Sequence, residues 1–448
     1  MHNDYREIFK RLSKSYYDDT FEKEVENILS SHSMDREKLA KIISILCGVN
    51  IEHSENYISN LKNAIKNYTA SAEKVVTKLP CSTQCAKDGD IICEKSCPVN
   101  AIFRDPNDNN IYINDELCLD CGLCVRNCPS GSILDKKEFI PLAELLKSES
   151  IVIGAVAPAI MGQFGKNTTI NQLRTAFKKL GFTDMVEVAF FADMLTLKEA
   201  VEYDHFVKDE QDFMITSCCC PMWVGMLKKV YNDLVKYVSP SVSPMIAAGR
   251  VLKLLNPNCK VVFVGPCIAK KAEAREKDLL GDIDFVLTFT ELRDIFDVFD
   301  IQPENLEEDF SSEYASKGGR LYARTGGVSI AVSEAIEKLF PNKYKFLKTI
   351  QADGVKGCKS LLDKIKQEDI SANFVEGMGC VGGCVGGPKV IIDPSEGRNA
   401  VNNFAENSSI KVSVDSNCMN DILSKININS VEDFKDKDKI SIFEREFK

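Results

Sequence analysis

Cys380 and Cys384 are separated by three residues and lie in a run that contains six glycines. Thiolates are soft metal ligands, and glycine lets the backbone approach a cofactor closely. Two upstream segments, residues 216–223 (TSCCCPMW) and 265–271 (GPCIAKK), contain further cysteines. Four thiolates from separate loops suit a [4Fe–4S] cube. The predicted set is Cys220, Cys267, Cys380 and Cys384.

Eight more cysteines are concentrated between residues 79 and 138. The downstream run matches the bacterial ferredoxin pattern that ends in Cys-Pro, and it consists of Cys118, Cys121, Cys124 and Cys128. The upstream run is a wider-spaced copy, and it consists of Cys81, Cys85, Cys93 and Cys97. In two-cluster ferredoxins the fourth cysteine of each run binds the other cluster. We therefore predict two [4Fe–4S] clusters, held by Cys81, Cys85, Cys93 and Cys128 and by Cys118, Cys121, Cys124 and Cys97.

Structural zinc is the alternative explanation for these eight cysteines. Zinc sites pair one Cys-x2–4-Cys unit with another across a spacer, and nothing in zinc chemistry requires a repeated Cys-Pro ending. The repeat therefore favours iron–sulfur clusters. A pair of such clusters can move single electrons between a surface partner and a deeper centre.

Composition excludes several classes of protein. The chain has 448 residues, of which 44% are hydrophobic and 27% charged, as expected for a globular protein of two or three domains. Its net charge of −10 argues against binding to nucleic acid. No stretch approaches the ~20 apolar residues of a membrane span, and the polar start resembles no signal peptide. We therefore expect a cytoplasmic protein, in which disulfides are disfavoured and clustered cysteines bind metal. The isolated cysteines, expected to be small buried hydrophobes, are Cys47, Cys259, Cys358 and Cys418.

Hydrophobic periodicity divides the chain into three regions. Residues 1–78 show helical periodicity and are predicted to form a helical appendage or docking module. Residues 79–138 form the ferredoxin-like region, and residues 139–448 alternate short β-branched runs with helical stretches. This alternation predicts an α/β domain with two lobes around a cleft. Its expected strands lie at 150–157, 184–189, 260–264 and 283–287, and its expected helices include 172–180 and 245–255.

The three cysteine segments resemble, in order, the three signature motifs of [FeFe]-hydrogenases, which also follow a two-cluster ferredoxin module. The resemblance implies an H-cluster, in which a [4Fe–4S] cube is joined through one cysteine to a di-iron subsite with CO, cyanide and a bridging azadithiolate. By motif position, Cys220, Cys267 and Cys380 would hold the cube. Cys384 would be both a ligand and the bridge.

The same resemblance implies roles for residues around the di-iron subsite. Cys219 corresponds to the thiol that passes protons to the bridging amine, and Lys270 to the lysine that hydrogen-bonds an iron-bound cyanide. Glu273 falls at a glutamate of the second motif, where it could equally be an ion-pair partner of Lys270 or of an arginine. The positions that surround the cyanide and CO ligands are Pro158, Ala159, Pro266 and Met378.

A proton route is implied by Glu199 and Glu202, with the Ser239 hydroxyl between them. The i, i+3 spacing places both carboxylates on one helix face, where they could pass protons in sequence. A solvated acidic helix face is the alternative explanation for this pair.

Several positions depart from the usual motifs and suggest a divergent subclass. Cys218 is an extra thiol in the first motif, and a loop shifted by one residue would reassign the roles of Cys219 and its neighbours. Many members have methionine, serine and glutamine where this chain has Gly265, Ala159 and Met245, which removes contacts around the di-iron subsite.

The expected function is reversible interconversion of dihydrogen with protons and electrons. The expected partners are a ferredoxin or flavodoxin and the H-cluster maturation enzymes. Two alternatives remain, namely a hydrogen-sensing relative and a non-catalytic scaffold for iron–sulfur assembly. Sensory relatives commonly add a signalling domain, whereas only ~60 residues follow Cys384 here. Scaffold relatives lack the residues that surround a di-iron subsite.

Overall fold

The computed structural model describes residues 2–81, 91–107, 110–209, 211–216, 218–311 and 314–447. The predicted ligand Cys85 lies outside the described residues. Within the described part of the chain, no helix combines the length and apolar character needed to cross a membrane.

The first region consists of helices packed on the rest of the protein. They are α1 (His2–Tyr17), α2 (Phe21–Ser31), α3 (Arg36–Leu46) and α4 (Tyr57–Lys66). Helix α3 begins after Asp35, whose side chain accepts a hydrogen bond from the Lys38 amide at 2.9 Å. Such an N-cap satisfies a backbone donor that the helix leaves free. Arg6 of α1 forms an ion pair with Asp294 at 2.5 Å, so this region is joined to the third region by polar contacts as well as by apolar packing.

The ferredoxin-like region is built from short antiparallel strand pairs and single-turn helices. Its strands are β1 (Val76–Lys78), β2 (Ile102–Arg104), β3 (Ile111–Ile113) and β4 (Ile133–Asp135), and its helices are α5 (Ile92–Lys95) and α6 (Leu123–Asn127). Strand β1 pairs with β4, and β2 pairs with β3. Because β1 begins at Val76, this region starts slightly before the predicted boundary at residue 79.

Two parallel sheets organise the third region. Its strands are β5 (Val152–Val156), β6 (Asp184–Glu187), β7 (Met214–Ile215), β8 (Lys260–Gly265), β9 (Phe285–Thr288), β10 (Thr349–Asp353) and β11 (Phe374–Met378). One sheet has the order β6-β5-β8-β9 and the other the order β10-β11-β7. Parallel sheets with helical connections are the α/β architecture that the sequence predicted.

Helices connect and cover these strands. Those on the first part of the region are α7 (Phe139–Leu146), α8 (Ile170–Lys179), α9 (Val188–Phe206), α10 (Pro221–Lys229), α11 (Pro244–Leu255), α12 (Ala269–Glu273) and α13 (Phe289–Val298). The remaining ones are α14 (Lys317–Leu321), α15 (Gly327–Leu339), α16 (Pro341–Tyr344), α17 (Gly354–Lys366), α18 (Pro394–Glu406), α19 (Asn417–Lys425) and α20 (Lys437–Ile440).

One predicted boundary was wrong. The run 184–189 was expected to be a strand throughout, but β6 ends at Glu187 and α9 begins at Val188. Residues 188–203 of α9 are all buried, and Met185 and Val186 of β6 are apolar, so apolar residues flank Glu187 on both sides and no turn residue marks the boundary. A fully buried helix and a buried strand cannot be separated by periodicity over such a short run.

The carboxyl ends of strands from both sheets carry the segments that the sequence singled out. Strand β5 leads to Pro158, β7 to Cys220, β8 to Cys267 and β11 to Cys380. In open α/β sheets, ligands bind in the crevice beyond the carboxyl ends of the strands. The topology therefore brings four distant parts of the chain toward one site.

Candidate active site

Two cavities in the ferredoxin-like region are lined by cysteines. One is lined by Cys97, Cys118, Cys121 and Cys124. The other is lined by Cys81, Cys93 and Cys128. The last cysteine of each run thus lies beside the other run, which is the arrangement expected for two clusters with exchanged ligands.

The arrangement of these cysteines bears on the choice between zinc and a cluster. Among the described residues, no three Cys, His, Asp or Glu side chains converge closely enough to hold a single metal ion. Cysteines that surround a shared cavity without converging on one point suit an iron–sulfur cube better than one tetrahedral zinc. Backbone amides also point at the thiols, because Ala101 N–H donates to Cys97 Sγ at 3.1 Å and Asp120 N–H to Cys118 Sγ at 3.4 Å. Such donors tune a cluster's potential.

The four cysteines from the three motifs are mutual neighbours in the third region. Burial raises the pKa of Cys380 well above its usual range, and Cys267, Cys220 and Cys384 raise it further. Burial likewise raises the pKa of Cys267 to about 11 and that of Cys384 to about 12. Thiolates packed this closely repel one another unless a cationic centre neutralises their charge, so the donor set fits an iron–sulfur cube.

The backbone around these cysteines has little free space. Gly379 N–H donates to Cys220 Sγ at 3.2 Å. Gly383 has φ +91°, and a Cβ there would lie 2.7 Å from the amide nitrogen of Thr325. Only glycine fits this combination of positive φ and close approach, which explains at least one glycine of the Cys380–Cys384 loop.

The inner cysteine cavity of the ferredoxin-like region lies next to this site. Cys121 is a charge neighbour of both Cys267 and Cys380. Gly122 has φ +77°, and a Cβ on it would lie 2.3 Å from Ile268 Cδ1. The sets Cys97/Cys118/Cys121/Cys124 and Cys220/Cys267/Cys380/Cys384 are therefore adjacent, with no intervening layer of chain between Gly122 and Ile268.

A further cavity of about 450 Å³ adjoins Cys384 and has mostly apolar walls. The sequence-predicted residues that line it are Pro158, Ala159, Cys219, Lys270 and Cys384. Pro266 and Met378 are not part of its lining. Met378 is buried at the end of β11, in a cluster against which Cys219 and Cys220 pack, and the Pro266 carbonyl accepts a hydrogen bond from the Lys389 amide at 3.0 Å.

Phe263 occupies the space that a side chain at Gly265 would need. A Cβ on Gly265 would lie 2.6 Å from Phe263 Cε1, and the Phe263 ring lines the cavity. Met245 and Tyr322 also line it, and Tyr322 Oη lies 3.0 Å from Thr196 Oγ1. Gly265, Ala159 and Met245 were expected only to remove contacts around the di-iron subsite. The structure adds that the side chains of Phe263 and Met245 line the cavity and fill part of its space.

Lys270 and Glu273 form a buried ion pair. Lys270 Nζ lies 2.6 Å from Glu273 Oε2, and both side chains are less than a tenth exposed. Although burial lowers the pKa of Lys270, Glu273 more than offsets this, so the pKa is raised and the ammonium is retained. Of the two partners considered for Glu273, the structure shows Lys270.

Glu199 and Glu202 are both buried on α9, which excludes the alternative of a solvated acidic face. Ser239 Oγ donates to Glu202 Oε2 at 2.6 Å. The hydroxyl that donates to Glu199, however, belongs to Thr216. The single bridging serine expected between the two carboxylates is thus replaced by two hydroxyls, one on each carboxylate.

Cys218 lies near both carboxylates and directly precedes Cys219 in the chain. Its thiol donates to the Ser239 carbonyl at 2.9 Å, and Glu199 and Glu202 are its nearest charged neighbours. Burial raises the pKa of Glu199 to about 8, and the nearby Glu202 charge adds to the shift. A carboxyl group with such a pKa can both accept and release a proton near neutral pH.

Sequence reasoning missed Thr216, Tyr322 and Lys198. Lys198 is fully buried on α9 and donates to Glu202. Its i, i+4 spacing to Glu202 was a usable signal, since such pairs commonly form ion pairs on a helix. Thr216 is in the first motif, but only the fold shows that its hydroxyl turns toward Glu199 while its carbonyl accepts from Trp223 Nε1 at 3.0 Å.

The fold and the site define an iron–sulfur protein with a ferredoxin-like module joined to an α/β domain that contains a further cysteine-lined centre. Residues 150–388 match the family described as iron only hydrogenase large subunit, C-terminal domain. Residues 81–132 match the 4Fe-4S dicluster domain. The chain therefore belongs to the iron-only hydrogenase family, which confirms the resemblance of the three motifs at the family level.

Curated relatives include both hydrogenases and assembly proteins. Iron hydrogenase 1 of Clostridium pasteurianum is 27% identical over 389 residues, covering 74% of this chain and 66% of the relative. The NADP-reducing hydrogenase subunit HndD of Solidesulfovibrio fructosivorans is 26% identical over 61% of this chain and 56% of its own length. Cytosolic iron-sulfur assembly component 3 of Rattus norvegicus is 24% identical over 64% of this chain and 73% of its own. The chain thus spans less than two thirds of the length of the two hydrogenase relatives.

Solved structures show the same fold. A variant of [FeFe]-hydrogenase HydA1 from Chlamydomonas reinhardtii aligns with a TM-score of 0.54 at 25% identity, covering 63% of this chain and 92% of that one. An [FeFe]-hydrogenase structure concerned with oxygen inactivation aligns with a TM-score of 0.58 at 24% identity, covering 68% and 97%. Most of each solved chain therefore has a counterpart here.

Proposed function

We propose that this chain is a catalytic [FeFe]-hydrogenase that interconverts protons, electrons and dihydrogen. The observation that carries the proposal is the cavity lined by both Cys384 of the four-cysteine site and Cys219, because the Cys219 thiol is also a charge neighbour of the buried Glu199. An assembly scaffold needs cluster ligands, but it has no need of a buried route for protons. The carboxylates and hydroxyls therefore favour the catalytic function.

The residues present fit an H-cluster. Cys220, Cys267 and Cys380 would hold its cube, and Cys384 would join the cube to a di-iron subsite in the adjoining cavity. When bound, the cluster supplies the iron centre at which dihydrogen is formed or split. Lys270 presents an ammonium group to the anionic ligands of the subsite, while Pro158 and Ala159 provide an apolar wall that excludes water. Pro266 and Met378 would support this lining from behind.

The chain's own groups would move protons between the surface and the cavity. The Cys219 thiol is the proton donor and acceptor at the cavity wall. Behind it, the Glu199 carboxyl is held by the Thr216 hydroxyl, and Glu202 is held by Ser239. Proton transfer along positioned groups of this kind contributes about 10²–10⁴-fold to a rate. The Cys218 thiol is a buried neighbour of both carboxylates, and it donates its hydrogen bond to the Ser239 carbonyl.

Electrons would enter through the cluster of Cys81, Cys85, Cys93 and Cys128 and continue through the cluster beside Cys267. We propose a ferredoxin or flavodoxin as the partner, in the cytoplasm, because a chain of one-electron clusters matches a one-electron carrier. The triple cysteine of the first motif, with Cys218 buried beside the carboxylates, supports a subclass of its own within the family.

Infrared spectroscopy of the protein produced together with H-cluster maturation enzymes tests the proposal. We expect CO and cyanide stretching bands, together with hydrogen evolution from a reduced dye. Cys384→Ala should abolish the bands because the bridging ligand is lost. Cys418→Ala, which removes a cysteine outside the motifs, should retain them.

Similarity to the assembly component of Rattus norvegicus makes a cluster-assembly scaffold the second candidate. A protein that contains iron and sulfide but shows neither infrared bands nor hydrogen turnover would refute the catalytic proposal and support the scaffold. CO and cyanide bands accompanied by little or no hydrogen turnover in the wild-type protein would indicate a sensor.

A further inference from the structure

The C-terminal segment pairs through its backbone with the part of the chain that carries Ser239. Ser241 and Glu444 are partners in an antiparallel bridge. The Val242 amide donates to the Phe443 carbonyl at 2.8 Å, and the Arg445 amide donates to the Pro240 carbonyl at 2.9 Å. This pairing fixes where the Glu444 side chain lies relative to the hydroxyls of the 239–241 segment.

Lys198 joins this segment to the proton route. Its side chain has no solvent exposure, and its ammonium group donates to Glu202 Oε1 and to Ser241 Oγ, the latter at 3.1 Å. Glu444 Oε1 lies 3.3 Å from the same ammonium. The three partners come from α9, the 239–241 segment and the C-terminal segment. A buried ammonium needs this many partners to offset its desolvation.

The two oxygens of Glu202 face different partners. Oε1 accepts from Lys198, whereas Oε2 accepts from Ser239, whose hydroxyl also lies 2.9 Å from Ser241 Oγ. Lys198 therefore leaves only one Glu202 oxygen to exchange protons with Ser239. The pKa of Lys198 is raised despite burial because Glu202 and Glu444 face it, so the Lys198 ammonium keeps its charge. The other titratable groups near Lys198 are the Glu199 carboxyl and the Cys218 thiol.

Glu202 and Glu444 both reach a surface cleft of about 1370 Å³, which His205 and Arg445 also line. The Glu444 side chain is about one quarter exposed, with a value of 26%. The ammonium of Lys198 thus sits between two carboxylates at the point where the buried hydroxyl and carboxyl groups meet solvent. This is the outer end of the route described above.

We propose that Lys198, anchored by Glu444, is a positioning residue at the solvent end of the proton route, and that the C-terminal segment contributes to this route through Glu444. Lys198 fixes the Glu202 carboxylate so that it takes protons from water in the cleft and exchanges them with Ser239. Glu444 holds the ammonium in place. This inference rests on the proposed function, since it assigns the outer end of the same route.

The test compares Lys198→Met and Glu444→Gln with Glu446→Gln, a matched change at an exposed position of the same segment. Lys198→Met should lower proton-limited turnover about 10-fold, as expected when a carboxylate loses its positioning partner, and should enlarge the solvent deuterium isotope effect. Glu444→Gln should give a smaller loss of the same kind. Lys198→Arg should restore most of the turnover, whereas Glu446→Gln should leave it unchanged.

A second readout needs no loaded active site. In infrared spectra of the apoprotein, the carboxylate band that disappears in Glu202→Gln should shift in frequency in Lys198→Met relative to wild type, because the carboxylate loses its hydrogen bond from the ammonium. If Lys198→Met fails to fold, Glu444→Gln alone should shift the band in the same direction, since a loosened ammonium stabilises the carboxylate less well.

Two outcomes would overturn the inference. One is that both variants match Glu446→Gln in band position and isotope effect. The other is that they lose turnover with an unchanged band and isotope effect, which would make Lys198 a purely structural residue. Failure of the proposed function is distinguishable, because it would appear in wild type as missing CO and cyanide bands, while the carboxylate band of the apoprotein would remain measurable.

Discussion

The electron side and the proton side of this molecule are built differently. On the electron side, ligands come from short local runs, and the inner set touches the four-cysteine site directly at Gly122 and Ile268. On the proton side, the groups come from α9, the first motif, the 239–241 segment and the C-terminus. Metal clusters demand fixed ligand spacing, whereas a hydrogen-bonded route needs only that suitable groups meet in space.

The electron side is held together by a buried ion cluster. Asp135, at the end of β4, pairs with Lys389 at 2.8 Å and with Lys137 at 3.4 Å, and it lies 3.7 Å from Lys271. Lys271 also pairs with Glu291 at 2.7 Å. Since Lys271 follows Cys267 and Lys389 follows Cys384, one carboxylate ties the ferredoxin-like region to two of the three motifs. These lysines hold the pKa of Asp135 well below its usual range, although burial acts in the opposite direction.

The proton side has no comparable clamp among the described residues around Glu199. The Glu199 carboxyl is held by one hydroxyl, and Glu202 by a hydroxyl and an ammonium. Mutations there should change rates more than stability, whereas mutations on the electron side should do the reverse. The predictions that follow test this contrast.

Cys219→Ala should have the largest effect, a loss of about 10²–10⁴-fold in hydrogen turnover, because it removes the proton-carrying thiol at the cavity wall. The CO and cyanide bands of the matured protein should remain, since Cys220 is the expected ligand. Cys218→Ala is the matched comparison and should cost only a few-fold. If Cys218→Ala were the inactive variant and Cys219→Ala active, the roles of the two thiols would be exchanged.

Asp135→Asn should be the most destabilising change on the electron side, by about 3–5 kcal/mol, as expected when a buried ion cluster loses one partner. The Asp135 side chain is only 3% exposed, so solvent does little to weaken its ion pairs. Denaturant unfolding of the cluster-loaded protein measures the effect, with the exposed Asp115→Asn as the control. Equal stability of the two variants would show that the buried ion cluster around Asp135 does not help to hold the ferredoxin-like region against the third region.

Thr216→Val should lower turnover about 10-fold while changing stability by only about 1–3 kcal/mol, because it leaves the buried Glu199 without its hydroxyl donor. Thr216→Ser retains the hydroxyl and should restore turnover. Steady-state assays on matured protein with wild-type infrared bands provide the measurement. A Thr216→Val protein with full turnover would remove this hydroxyl from the route.

The sequence predicted the electron side better than the proton side for a physical reason. The spacing of the cysteine runs is itself the geometry of the ligands, so the exchanged partners Cys97 and Cys128 could be anticipated. Lys198 and Glu444 are 246 positions apart and meet only because the C-terminal segment pairs with residues 240–242. No local pattern encodes that contact.

The same distinction applies to the fold. The strand at 260–264 was anticipated because its apolar run is short and bounded, and β8 spans Lys260–Gly265. The start of α9 was not anticipated, because apolar residues occur on both sides of the boundary between β6 and α9. The sequence also could not predict that the Phe263 ring fills the space beside Gly265, because this depends on the orientation of that ring.

Glu199→Gln should change how stability depends on pH, by an amount that is small for each pH unit. Burial raises the pKa of Glu199 to about 8 from the ordinary value of 4.5, so the folded state holds a proton that the unfolded state releases. Stability from this group is complete below about pH 4.5 and is lost as pH rises toward about 8, at no more than about 1.4 kcal/mol per pH unit. The variant lacks this slope, and unfolding of both apoproteins at several pH values should give curves that diverge over this range. Asp193, whose pKa burial raises to about 7, contributes equally to both proteins and cancels in the difference. Parallel curves would mean that Glu199 is ionised in the folded protein, in which case the proton side would store no proton at this position.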